Sequence, residues 1–288
     1  MRRFGLLIAV TGGLALSFDI PALRLGDGEA WSVLSLRATL VALVGLLGWR
    51  IANALGRTGP LVDGRMGAVV AALYGLNALT FLLAIHYTSV ANVVFILALN
   101  PMATAVFSWW LIGERPARAT VVSIALTVVG AGIIVADGVQ SGGGFGDAMA
   151  LSTTLLLALC LTLTRKHDLD VGFASLASAI LPAVIGWVVV AFNGFSIAAP
   201  GWIALDGLVI MPIAFFCLAV APRFVPAPVV AMAFLIETCL APVWVWLIFA
   251  ERPGQAALSG GALVLVAVVG HSVWQWRRGR RRPMAVPA

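Results

Sequence analysis

The stretch Tyr87–Pro116, YTSVANVVFILALNPMATAVFSWWLIGERP, decides the fold of this chain. The run from Val90 to Ile112 contains no charged residue, and as a helix it would be about 34 Å long, enough to cross the hydrocarbon core of a bilayer. Asn92 and Asn100 lie eight positions apart in this run, and therefore close to one helical face. The stretch predicts a membrane helix that carries two amides.

The chain repeats this pattern 137 positions later, where a second apolar run ends in Glu251-Arg252-Pro253. In this register seven positions between 81 and 116 are identical, and Asn100 aligns with Glu237. A chain rich in Ala, Leu and Val produces some identities by chance, so the informative matches are Trp109 with Trp246 and the shared Glu-Arg-Pro ending. The pattern indicates an internal repeat.

These features resemble the drug/metabolite transporter superfamily, in particular its EamA-type ten-helix bacterial carriers. The resemblance covers nearly the whole chain and implies a membrane carrier, but it says little about the substrate. The matching segments are Tyr87-Thr88-Ser89, Asn100-Pro101, Leu111-Ile112-Gly113-Glu114-Arg115, Leu235-Ile236-Glu237-Thr238 and Glu251-Arg252-Pro253.

The composition excludes a soluble globular protein. Of the 288 residues, 61% are hydrophobic and 10% are charged, whereas about 25% charged residues are usual in soluble domains. Ten apolar segments nearly exhaust the sequence, and each has about the length that a membrane helix needs. They are residues 4–23, 31–49, 67–86, 90–112, 119–136, 148–164, 172–192, 202–221, 226–249 and 257–275.

We therefore predict an all-α integral membrane protein with ten transmembrane helices arranged as two inverted five-helix repeats. The first repeat comprises residues 1–138 and the second residues 147–276, with a glycine-rich linker at 139–146 and a basic cytoplasmic tail at 277–288. Because each repeat has an odd number of spans, the second enters the membrane upside down relative to the first. Inverted repeats are typical of carriers that work by alternating access.

The basic residues predict the orientation of the chain. With the N-terminus in the cytoplasm, 15 of the 18 basic residues fall in cytoplasmic segments, Arg24 and Arg252 fall outside, and Arg37 lies within a span. This bias follows the positive-inside rule. It predicts a multi-pass membrane protein with both termini in the cytoplasm, and the resemblance implies the bacterial cytoplasmic (inner) membrane. The bias also makes nucleic-acid binding a poor explanation of the net charge of +6.

Two residues near the middle of their spans are the leading candidates for a substrate site. Glu237 lies 12 residues into the segment 226–249, and its repeat partner Asn100 lies 11 residues into 90–112. A charge at the bilayer centre costs at least about 2.5–3.5 kcal/mol, which favours a functional role for Glu237. For Asn100 the alternative is a hydrogen bond between helices, worth about 0.6 kcal/mol on average.

Further polar residues are candidates with two open interpretations each. Asp19 and Arg37, in neighbouring spans, form an ion pair with each other, or else Arg37 binds a substrate carboxylate. Tyr74 and Asn77 share a helical face with Phe81, which either packs or lines a pathway. Asn92 belongs to the same candidate set.

The function implied by the resemblance is secondary transport, with export of small zwitterionic metabolites such as amino acids, including aromatic ones. The alternative is a lipid-handling or structural membrane protein without solute transport. The sequence contains no GxSxG or HExxH motif, and Cys160, Cys217 and Cys239 all lie in apolar runs. We therefore expect no enzyme, no metal and no cofactor. The expected partners are a small-molecule solute, the lipid bilayer and a coupling proton, without nucleic acid and without an obligate protein partner.

Overall fold

The chain folds into a bundle of helices, and the prediction of an all-α protein is confirmed. Within the described residues, the one β-bridge joins Gly28 to Ile197. The structure is a computed structural model that describes residues 2–141, 143–169, 171–220, 227–250 and 254–279.

The described residues form fourteen α-helices and one π-helical segment. The α-helices are α1 (Arg2–Ser17), α2 (Asp19–Leu25), α3 (Ala30–Ala54), α4 (Gly64–Tyr87), α5 (Val90–Leu97), α6 (Asn100–Ile112), α7 (Arg118–Ser141), α8 (Gly144–His167), α9 (Gly172–Ala177), α10 (Ile180–Asn193), α11 (Pro200–Leu205), α12 (Met211–Val220), α13 (Ala227–Phe249) and α14 (Gln255–Gly279). The π-helical segment, Asp206–Ile210, connects α11 to α12.

Eight segments within the described part of the chain are long and apolar enough to cross a membrane. Each overlaps one of the first eight predicted spans. The apolar helices α13 and α14 coincide with the ninth and tenth predicted spans, whose status as membrane crossings stays a prediction. The eight segments are Phe4–Leu25, Ala30–Ala54, Gly64–Tyr87, Val90–Ile112, Arg118–Asp137, Gly144–His167, Gly172–Asn193 and Pro200–Cys217.

Four of these eight segments are interrupted, and a proline follows each interruption. Proline lacks a backbone N–H and its ring clashes with the carbonyl four residues earlier, so the preceding turn is distorted. The break between α1 and α2 precedes Pro21, and the break between α5 and α6 precedes Pro101. Pro182 follows the break between α9 and α10, and Pro212 follows the π-helical segment. Polar residues lie at three of these interruptions. Asp19 and Asn100 begin the helices that follow a break, and Asp206 begins the π-helical segment.

The helices pack in pairs across the two predicted repeats. α3 packs against α10, α7 against α14, α4 against α8, and α1 against α12 and α13. Between α7 and α14 the backbones touch, since a Cβ atom on Gly130 would lie 2.7 Å from Gly260 O. α5 lies at the centre, because every residue from Val90 to Ile96 is buried.

The predicted linker 139–146 is short and partly helical in the structure. α7 continues to Ser141 and α8 begins at Gly144. Gly146 presses against the connection between α4 and α5, where an added Cβ would lie 2.6 Å from Thr88 N. Glycine is thus required for close packing at this position. Most of the predicted tail, residues 280–288, lies outside the described residues.

Candidate functional site

Three charged side chains meet inside the helix bundle. The guanidinium of Arg37 on α3 donates a hydrogen bond of 2.6 Å to Asp19 Oδ1 and one of 2.7 Å to Asp206 Oδ2. All three residues are buried, with at most 5% of their surface exposed. Arg37 and Asp19 therefore form the ion pair that was one of their two open interpretations. Asp206 is a second partner, and we call these three residues the charged triad.

Helix breaks and a glycine bring the two carboxylates to Arg37. Asp19 is the first residue of α2 and Asp206 the first of the π-helical segment, so both lie where the regular helix is interrupted. Gly207 follows directly and faces α3, where an added Cβ would lie 2.9 Å from Leu40 Cβ and 3.3 Å from Arg37 O. The absence of a side chain at this position allows the π-helical segment to approach α3 closely.

A cavity lies beside the charged triad, between α3, α4, α9 and α12. Arg37 is part of its wall and also lies over the Phe81 ring, with Cζ 5.5 Å from the ring centroid, a cation–π distance. The wall combines this cation with hydroxyl, amide and aromatic groups. Its polar and aromatic members are Arg37, Tyr74, Asn77, Phe81, Ser175 and Phe215.

The two amides Asn77 and Asn100 both donate to backbone carbonyls of α8. Asn77 Nδ2 donates to Thr153 O at 2.8 Å, and Asn100 Nδ2 donates to Thr154 O at 3.4 Å. Asn77 also borders the cavity, while Asn100 is not among the described residues of its wall. Both amides therefore join helices.

Asn92 belongs to a separate polar cluster at the end of the bundle that contains the α2–α3 connection. Its Nδ2 atom lies 3.2 Å from Asp147 Oδ1, and the Thr88 hydroxyl donates to the same oxygen at 2.7 Å. Asp147 is fully buried. The Arg24 guanidinium donates to Thr88 O at 3.2 Å, so the cluster joins α2, the α4–α5 connection and the start of α8.

Glu237 is half-buried on α13, a helix that packs against α1 and α2. Its carboxyl group interacts electrostatically with that of Asp19. It is not among the described residues that border the cavity. Glu237 therefore lies on the helix that packs against the segment carrying Asp19.

At the end of the bundle that contains the α2–α3 connection, two connections between helices are joined by backbone hydrogen bonds. Three hydrogen bonds of 2.8–3.0 Å join residues 26–29, between α2 and α3, to residues 196–199, between α10 and α11. The Gly28–Ile197 bridge lies within this contact. We call it the loop clasp.

Two functional candidates were missed by sequence reasoning, and both are aspartates near helix ends. Asp206 lies inside the predicted span 202–221, so a carboxylate in an apolar run was the available indication. Asp147 falls one residue before the predicted span 148–164 and looked like part of a connection. The structure buries both completely.

Comparison with known proteins finds a family model that is similar to the first part of the chain. Residues 3–136 match the model of the EamA-like transporter family, a range that runs from α1 into α7. The resemblance stated from the sequence is confirmed by this match. No curated protein matches the chain with significant similarity.

One solved structure, described only as the crystal structure of a protein, is similar over 98% of this chain and 100% of its own. The TM-score is 0.65 and the sequence identity is 17%. At this identity the likeness shows a shared fold and says nothing about the transported solute.

Proposed function

We propose that this protein, whose residues 3–136 match the model of the EamA-like transporter family, is a membrane transporter that exports small zwitterionic metabolites such as amino acids, including aromatic ones. The observation that supports this most directly is the cavity between membrane helices that has Arg37 in its wall. A guanidinium is the side chain best suited to a carboxylate, which it can bind with two parallel hydrogen bonds.

The remaining wall suits the other parts of such a solute. Tyr74, Phe81 and Phe215 offer aromatic surface for an apolar or aromatic side chain, and Asn77 offers an amide. Pockets for small molecules usually combine apolar walls with a few polar groups that fix orientation. In this proposal Glu237 meets the substrate ammonium or exchanges the coupling proton. Asn100 and Asn92 hold the helices around the site.

We further propose alternating access by two inverted five-helix repeats. The helix packing supports this. In the two repeats α3 corresponds to α10 and α7 to α14, so a two-fold axis that exchanges the repeats would leave the α3–α10 and α7–α14 contacts unchanged. The same axis would exchange the α4–α8 contact with the α1–α12 contact, and both contacts are present. Substrate sites in such carriers lie near the membrane midplane, where helices are discontinuous.

We propose that both termini lie in the cytoplasm of a bacterial cell and that the loop clasp lies on the outer face, an orientation that the arginine bias supports. The loop clasp would then close the outer mouth of the cavity, and the transport cycle would require it to open. A cytoplasm-active fluorescent fusion at Ala288 should fluoresce, and a phosphatase fusion at Gly143 should be active. Phosphatase activity at Ala288 instead would reverse the orientation.

The test of the transported class is counterflow into liposomes that contain the purified protein. Labelled aromatic amino acids should enter protein-containing liposomes that are preloaded with the same unlabelled solute. This entry should be faster than entry into preloaded liposomes without the protein. Nucleosides serve as polar solutes without a carboxylate, and a fluorescent phospholipid reports lipid movement. Lipid movement without movement of any polar solute would support the lipid-handling alternative and overturn the proposal.

A further inference from the structure

The charged triad has an excess of negative charge if all of its groups are ionised. One guanidinium faces two carboxylates, and Asp19 and Asp206 are both at most 1% exposed. A buried charge without a compensating partner is strongly unfavourable in a low-dielectric interior. The triad therefore needs one more positive charge to become neutral.

The position of the missing charge is indicated by an orphaned oxygen. Asp206 Oδ2 accepts from Arg37, but the buried Oδ1 atom has no hydrogen-bond partner. The Asp19 and Asp206 carboxyl groups accept from neighbouring nitrogens, Nη2 and Nε, of one guanidinium, so they lie next to each other. Two carboxylates at such a distance are not both ionised at low cost, and one proton held between them removes the repulsion.

The enclosure of the two carboxyl groups restricts what this cation can be. Arg37 borders the cavity, whereas neither aspartate is among the described residues of its wall. An ammonium group or a metal ion requires open volume and several ligands, and the described residues contain no cluster of three or more metal-binding side chains. A proton requires neither.

We propose that Asp19 and Asp206 share one bound proton, and that this proton controls how firmly Arg37 is held away from a solute in the cavity. With the proton present, one of the two acceptors of the guanidinium is neutral, and Arg37 retains charge for a solute carboxylate. Without it, both aspartates are ionised, hold Arg37 and repel the carboxylate. The second part of the proposal rests on the proposed function.

Proton and solute carboxylate therefore favour each other's binding, and this linkage is reciprocal. Transport in this mode moves the solute and the proton together in the same direction. Export is therefore driven by an outward gradient of the solute, which must also carry the proton outward.

Few other titratable groups on the surrounding helices can account for such a proton. Glu237 on α13 acts on Asp19, and Tyr74 on α4 borders the cavity. α12 contributes Cys217, α1 carries only Arg2 and Arg3 in its first turn, and α9, α10 and α11 have no titratable side chain. Glu237 is thus the group that the experiment must separate from the pair.

The test is infrared spectroscopy of the purified protein in liposomes, which detects the carbonyl stretch of a protonated carboxyl group and needs no solute. Wild-type protein at pH 7 should show this band, and the band should disappear as the pH is raised. In the Glu237→Gln background, Asp19→Asn and Asp206→Asn should each remove it completely, because either change leaves one carboxylate paired with Arg37 and a neutral site. Glu237→Gln is the matched control and should retain the band.

A band that survives Asp206→Asn in the Glu237→Gln background, or its absence from Glu237→Gln at every pH, would overturn the proton site whatever the transport assays give. The linkage has a separate measurement, the affinity for an amino acid that wild type is found to transport. The dissociation constant should rise tenfold per pH unit once the pair has lost its proton, and in Asp206→Asn it should be independent of pH. An equal pH dependence in both proteins would overturn the linkage and leave the transport proposal intact.

Discussion

Arg37 Nε lies 2.7 Å from Asp206 Oδ2, although 169 positions separate the two residues in the chain. This contact joins the second membrane segment to the eighth. Asp19 adds the first segment through its own hydrogen bond to Arg37. One guanidinium thereby connects three helical segments at the level where two of them are broken.

Loss of Arg37 should destabilise the protein far more than loss of an exposed arginine. Arg37→Met leaves two buried carboxylates without a cation, which should cost about 3–5 kcal/mol. The control is Arg165→Met, which breaks the 2.6 Å pair with Glu114, where the side chains are 64% and 46% exposed. That change should cost at most about 1 kcal/mol. Thermal unfolding in detergent measures both, and equal losses would contradict the role of burial.

Two glycines on one helix should respond oppositely to alanine. Gly130→Ala places a Cβ 2.7 Å from Gly260 O and should cost about 1–3 kcal/mol through overpacking of α7 on α14. Gly132→Ala meets no heavy atom within 4 Å, and it should stabilise the helix by up to about 1 kcal/mol because alanine is the better helix former. Unfolding temperatures of the two variants provide the comparison. A stable Gly130→Ala protein would show that the two helices separate readily.

Loss of Asn77 and loss of Asn100 should affect transport differently, because the two amides differ in their position relative to the cavity. Asn77→Ala and Asn100→Ala each remove one hydrogen bond to α8, and each should cost about 0.6 kcal/mol of stability. Only Asn77 borders the cavity, so its loss should raise the KM of transport while Asn100→Ala leaves KM close to wild type. Initial rates of uptake into liposomes at several solute concentrations separate the two. A larger change for Asn100→Ala would place the solute elsewhere.

The loop clasp should stop transport when it is covalently closed. In a background without the three native cysteines, Gly28→Cys combined with Ile197→Cys places two thiols on directly opposed residues. Oxidation should abolish transport, and reduction should restore it, since alternating access requires this end to open. Each single cysteine variant is the control for its own substitution. Full activity of the oxidised double variant would show that the clasp does not open during the cycle.

Glu237→Gln keeps the size and hydrogen bonding of the side chain and removes its titration. Transport should fall severely, while expression and thermal stability hold or improve. The pH profile then separates two roles. A variant that loses its pH dependence but keeps solute exchange indicates a proton carrier, and one with weakened solute affinity and no exchange indicates an ammonium ligand. Normal transport across the pH range would make Glu237 structural.

Much of the fold follows from local sequence, but the charged triad does not. The length of the apolar runs predicts where helices lie, and Pro21 predicts the break that positions Asp19. The Arg37–Asp19 contact is accessible to reasoning because neighbouring spans pack together. Asp206 could not be assigned as their partner, since the packing of the eighth segment onto the second depends on side-chain fit and on Gly207. Hydropathy does not contain that information.

The amides illustrate the same limit in another way. Asn77 and Asn100 lie on different segments. Asn100 is a candidate because of its depth in the membrane, and Asn77 because of the helical face that it shares with Tyr74. The structure shows that both donate to adjacent carbonyls of α8, those of Thr153 and Thr154. The sequence indicates that an amide lies at a given depth, but it does not indicate which backbone the amide meets.

Gly207 gives position 207 an importance that its chemistry would not suggest. It has no side chain to bind a solute or a proton, yet a methyl group there would press on Leu40 and on the carbonyl of Arg37. Any larger residue would push the π-helical segment away from α3 and increase the distance between Asp206 and Arg37. A survey of inactivating substitutions should therefore find some of the most damaging ones at a residue that never touches the cargo.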